Sequence, residues 1–103
     1  MLRGKLNKAL ELAIEYYKRA WEKNIPQGII DFLFEQANCL YRKGDNSSLA
    51  EVVPKIQDLF DRFEDTISSE SLILYKRRLY NFYGLYYAQL GETQKPLIGL
   101  IKL

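Results

Sequence analysis

Histidine is absent from this sequence, and cysteine occurs once, as Cys39. The first absence removes the side chain that most often acts as general base near neutral pH or binds a transition metal, so no catalytic residue, metal or cofactor is expected. The second rules out an internal disulfide and makes a reducing compartment, the cytoplasm, the expected one. No apolar run approaches the roughly 18–20 residues that a bilayer-spanning helix needs, so no membrane partner is expected. The basic start of the chain is interrupted by Glu11 and Glu15, which suits an amphipathic helix rather than a signal peptide. With three prolines and six glycines there is no linker or low-complexity tract. Neither sign of charge dominates: 15 Lys and Arg against 13 Asp and Glu leave +2. That balance gives phosphate-driven affinity no support, so direct nucleic-acid binding is not expected.

What is present is apolar and aromatic, 48% and 14% of the chain, which argues against disorder. The 103 residues suit one domain spanning 1–103. The apolar residues recur at helical steps. Leu6, Leu10, Ala13, Ile14, Tyr17 and Trp21 predict a helix from about Leu6 to Lys23. Pro26 suits the first turn of a second, running to Lys43 with Ile29, Ile30, Leu33, Ala37 and Leu40 inside. Gly44 supplies its stop, and Arg42 and Lys43 suit the negative end of its dipole. A third helix is expected near Ser48, with Ser48 and Glu51 as a capping box. Its stripe is Leu49, Val52, Val53, Ile56, Leu59, Phe60 and Phe63, and Pro54 predicts a kink or a start at Val53. A fourth helix spans about Ser69 to Leu90, and a short fifth follows from Thr93 after a stop at Gly91.

Gly44 and Gly91 lie 47 positions apart, and the segments before them align. Leu33 meets Tyr80, Ala37 meets Gly84 and Leu40 meets Tyr87, so each segment reads bulky, small, bulky, stop. A small residue lets a neighbouring helix lie close. On this reading Gly84 is a packing point, with Tyr80, Tyr83 and Tyr87 as wedges between helices. The spacing resembles the tetratricopeptide repeat, whose first helix carries bulky, small and bulky positions before a turn glycine. The period here is longer than that family's 34 residues, and Pro96 stands where the family has a small residue. The expected fold is therefore all-α: about five antiparallel helices in a tetratricopeptide-like array of helical hairpins. RRLYNFYGLYYAQLGETQKPLIGLIKL, and the long helices, also resemble the C-terminal repeat domain of Rgg-type peptide-pheromone receptors. That resemblance implies a peptide-sensing, dimerising part of a cytoplasmic transcription regulator, here without the DNA-reading domain.

In tetratricopeptide-like repeats the first helices line a groove that holds an extended peptide. Carried over by spacing from the turn glycines, the groove positions are Asp31, Phe34, Asn38, Tyr41 and Arg42, then Arg78, Asn81, Leu85, Ala88 and Gln89. Asn38, Tyr41, Arg42, Arg78 and Asn81 are the peptide-binding candidates. An amide both donates and accepts, which suits a peptide backbone, and a guanidinium grips a carboxylate with two prongs. Solvated helix surface accounts for the same residues equally simply. Lys76, Arg77 and Arg78 fan out around a helix and make no single patch, and Asp58, Asp61, Glu64 and Asp65 read as an exposed acidic face. Cys39 falls well inside its helix and reads as a core residue. The partner implied is a protein or short peptide, with a homodimer expected from apolar helix faces left open at both ends. The alternative is an assembly subunit that packs helix faces on a partner and has no peptide groove.

Overall fold

A computed structural model describes residues 2–91, with side chains from residue 4 onward. The described chain is helical, with no strand: α1 (Leu2–Glu22), α2 (Pro26–Lys43), α3 (Asn46–Arg62) and α4 (Ser69–Gly91). The expected fifth helix, with Pro96 and the LIGLIKL tail, lies outside the described residues. Contacts group the chain into two units, Met1–Ile67 and Ser68–Leu103.

In the first unit α2 is the middle helix and packs on both α1 and α3. Each neighbour follows after only two or three linking residues, so consecutive helices run antiparallel. Being central explains why α2 is buried on two sides. The predicted Ile29, Ile30, Leu33, Ala37 and Leu40 are all buried, and Phe34 and Cys39 join them. Phe34 meets Phe60 of α3 at 6.3 Å between ring centroids. The α3 stripe is buried as predicted from Leu49 to Phe60, and Phe63, its C-cap, is half-buried. Of the predicted α1 face, Leu6 and Ala13 are buried and Leu10, Tyr17 and Trp21 half-buried; Ile14 departs from it, staying 37% exposed, and Ala20, outside the predicted set, is buried. A Cβ added to Gly28 of α2 would lie 3.4 Å from the Ala20 Cβ and 3.3 Å from Ile25 Cγ2, so α1 and α2 approach closely there.

The two links share one geometry. After α1, Asn24 takes the left-handed conformation (φ 53°); its N–H donates to the Trp21 carbonyl, and that of Ile25 to Ala20. After α2, Gly44 does the same (φ 75°), its N–H donating to Tyr41 and that of Asp45 to Leu40. Paired six-to-one and five-to-two bonds of this kind close helices economically, because they satisfy carbonyls that would otherwise lack partners. The residue that finishes each link also starts the next helix: the Ile25 carbonyl accepts from Ile29 N–H, and the Asp45 carbonyl from Leu49 N–H. Among the described residues, its two chain neighbours aside, no atom lies within 4 Å of a Cβ placed on Gly44, so its requirement is one of backbone angle. Gly44→Ala should therefore destabilise the unit by about 1 kcal/mol, read as a lower urea midpoint at unchanged slope.

The start of α3 differs from expectation. Asp45, not Ser48, is the N-cap: the Ser48 N–H donates to Asp45 Oδ1 at 3.1 Å and the Ser48 hydroxyl donates to Oδ2 at 2.8 Å. The carboxylate accepts one bond on each of its two oxygens, where a serine cap would offer a single, uncharged oxygen. These two bonds, the backbone one first, hold the Asp45 carboxyl below its ordinary value. The cap is complete above the usual carboxylate pKa of about 4 and is lost as pH falls through the lowered one. Pro54 neither delays nor divides the helix; it sits on the exposed side of a continuous α3, where water can reach the carbonyl one turn earlier.

The second unit's described part is α4, opened by Ser68, whose hydroxyl oxygen accepts from the Ser71 N–H at 3.2 Å. Leu72, Leu79, Phe82 and Tyr86 are its buried side. The packing role expected of Gly84 is not found. Gly84 is exposed, and among the described residues nothing lies within 4 Å of a Cβ placed there. The tyrosines pack along their own helix instead, Tyr83 stacking on Tyr87 at 5.9 Å and Tyr86 meeting Tyr87 at 5.4 Å. Tyr80 is 48% exposed, more than a side chain wedged between helices would be. Of the two aligned small positions, then, only Ala37 lies in a core.

Candidate functional site

The predicted site residues fall on two elements. On α2, Asn38 and Tyr41 are half-buried and Arg42 is exposed, one turn after Asn38. Phe34, included in the wider groove set, belongs to the core and is unavailable to a ligand. On α4, Arg78, Asn81, Leu85 and Ala88 are exposed and Gln89 is half-buried. These α4 positions, preceded by Leu74, recur every three or four residues and so share one line along the helix. Arg78 and Asn81 thus stand between two leucines that are 61% and 51% exposed. Next to this line runs a second, with Ile73, Lys76, Arg77 and Tyr80 around an open depression of about 290 Å³. A helix this apolar on its outward side, and also buried on its inward one, has amphipathicity in neither direction alone.

A groove that sequence reasoning missed lies in the first unit, between α1 and α3. Tyr17 and Trp21 form one wall and Lys55, Asp58, Leu59 and Arg62 the other, enclosing about 240 Å³. The Arg62 guanidinium lies over the Trp21 ring at 5.0 Å, a cation–π distance. Trp21 is held by Tyr17, edge-on at 6.3 Å, and by Phe63 at 5.7 Å. No carboxylate among the described residues comes within ion-pairing distance of Lys55 or Arg62. The signal was visible in part: Lys55, Asp58, Leu59 and Arg62 follow the steps that put them on one helix face. Their pairing with Tyr17 and Trp21 depends on how α1 meets α3, which periodicity does not encode. Asp58 also belongs to the acidic face with Asp61, Glu64 and Asp65, and all four are exposed, as expected from the sequence.

On the far side of α1, Tyr16 meets Phe32 at 5.3 Å with the rings tilted by 40°, and the pair divides an open seam between α1 and α2. Cys39 is a free, buried thiol. Burial raises its pKa, with Glu35 acting in the same direction and Arg42 and Lys43 opposing, so the thiolate is scarce at neutral pH. Among the described residues no group of acidic, cysteine or histidine side chains is placed to hold a metal ion, and no helix is long and apolar enough to cross a membrane. Against known proteins, no family model, curated protein or solved structure matches the chain.

Proposed function

We propose that the chain is a non-catalytic module that binds a protein or short peptide, with the outward line of α4 as a principal contact. The observation that carries this reading is the sequence of side chains along that line: Leu74, Arg78, Asn81 and Leu85, all exposed. Two apolar anchors bracket a guanidinium and an amide. An extended peptide needs those four functions: apolar contact on either side, a partner for a carboxylate and a group that pairs with its backbone. Asn38, Tyr41 and Arg42 offer a similar set on α2. The resemblance to Rgg-type receptors extends the proposal to the sensing and dimerising part of a cytoplasmic transcription regulator.

Selection from a displayed random-peptide library tests this. The full chain should enrich one sequence family whose free peptide binds saturably. Arg78→Glu combined with Asn81→Ala should weaken that peptide at least tenfold while leaving the helical circular dichroism intact. Failure to enrich any family, or equal binding by the double variant, would remove the proposal.

An assembly subunit is the second reading, and Ile73, 56% exposed beside Tyr80 on α4, favours it. In that case light scattering should show a stable oligomer at micromolar concentration that Tyr80→Glu dissolves, and peptide selection should stay silent.

A further inference from the structure

The groove between α1 and α3 has a chemistry of its own, separate from the α4 line. Its centre is apolar, made by Tyr17, Trp21 and Leu59. Its ends are cationic. Lys55 and Arg62 stand two turns apart on α3, about 10 Å along the axis. Asp58 lies between them, so the lining carries a net single positive charge. At about 240 Å³ the groove is smaller than the roughly 300–1,000 Å³ of sites that enclose small-molecule ligands. It has room for one apolar side chain and the groups on either side of it. Asp58 would repel a phosphate chain, whereas its carboxylate can accept a backbone N–H from a peptide.

We propose that this groove binds an extended acidic peptide segment, in which an acidic residue, an apolar residue two positions on and a second acid two further on share one side of the strand. The spacing follows from strand geometry. Alternate side chains point the same way, and positions four apart are separated by about 13 Å. Lys55 and Arg62, on long flexible stems, cover the small difference from their own separation. The apolar residue seats against the half-buried Tyr17 and Trp21 rings. The second cation is already placed for it: Arg62 rests on the Trp21 face, lowering the ordering cost of gripping a carboxylate.

Trp21 is the only tryptophan, so it reports on this groove directly. The probe is an acetylated, amidated peptide with the core Glu-Ser-Leu-Ser-Glu, titrated to millimolar concentration at low salt. A saturable change in tryptophan emission is expected. A fluorescein-tagged copy should bind Arg62→Glu and Lys55→Glu at least tenfold more weakly, by anisotropy. The charge-swapped core Lys-Ser-Leu-Ser-Lys should recover affinity on the variant that carries both substitutions. Three results would each overturn the assignment: no saturable change, equal binding of the Gln-Ser-Leu-Ser-Gln peptide, or equal, Arg62-dependent binding of oligodeoxythymidylate, which would make the groove a general anion surface. Arg78→Glu with Asn81→Ala should leave the titration unchanged, so the outcome is independent of the α4 proposal.

Discussion

Phe34→Ala should remove about 3–5 kcal/mol of stability from the Met1–Ile67 unit, the range for deleting a fully buried aromatic side chain. Phe34 is 1% exposed, Phe60 likewise, and each fills the space against the other between α2 and α3. A unit of this length has on the order of 3–10 kcal/mol in total, at about 0.05–0.15 kcal/mol per residue. The loss is thus comparable with the whole, and the variant should be largely unfolded or close to its midpoint in buffer at room temperature. Urea unfolding followed by Trp21 emission measures this unit specifically, because that tryptophan lies in α1. Phe34→Leu, which keeps most of the volume, should recover more than half of the loss. A Phe34→Ala midpoint within error of the parent would mean that the α2–α3 contact is not the core described above.

Ala37→Leu and Gly84→Ala should move stability in opposite directions. Ala37 is 0% exposed on α2, the middle helix of its unit, and three additional carbons there must displace packed neighbours, at a cost of about 1–3 kcal/mol. Gly84 has no neighbour among the described residues where a Cβ would point, at an interior position of a 23-residue helix. Alanine there meets nothing among the described residues and should gain about 1 kcal/mol of helix propensity. Thermal and urea midpoints of the two variants, compared with the parent, decide the matter. A destabilising Gly84→Ala would restore the close-packing role that the alignment of the two glycine-stopped segments implied.

That alignment marks where the sequence could and could not be read. Periodicity located four helices to within a few residues and identified nearly every core position of α2 and α3, because a helix buried along one stripe must repeat its apolar residues at that spacing. The turn at Gly44 was equally legible, since a glycine beside basic residues after an apolar run has few other uses. The α1 face was read nearly as well: Leu6 and Ala13 are buried as expected, whereas Ala20, which packs close to Gly28, was missed and Ile14 stays largely outside. Gly84 failed for the converse reason. A small residue permits close approach without requiring it, so a bulky–small–bulky spacing is a licence to pack and no guarantee. The α3 cap was missed because Ser48 and Glu51 fit one capping pattern while Asp45 offered a stronger acceptor one turn earlier. As for the site, Arg42, Arg78 and Asn81 could be expected at the surface from their positions between core residues. The Trp21–Arg62 pairing could not, because it joins two helices whose mutual approach no local pattern records.

Asp45 belongs to two helices at once. Its N–H ends α2 on the Leu40 carbonyl, its own carbonyl begins the ladder of α3 at Leu49, and its carboxylate caps that ladder through Ser48. The last turn of one helix therefore cannot fray without stripping the first turn of the other. Ile25 couples α1 to α2 through its N–H and carbonyl in the same manner. Three rods joined by such shared residues have no independent ends at their joints; they should zip and unzip together, with protection against amide exchange at the two corners rising and falling with that of the helices on either side.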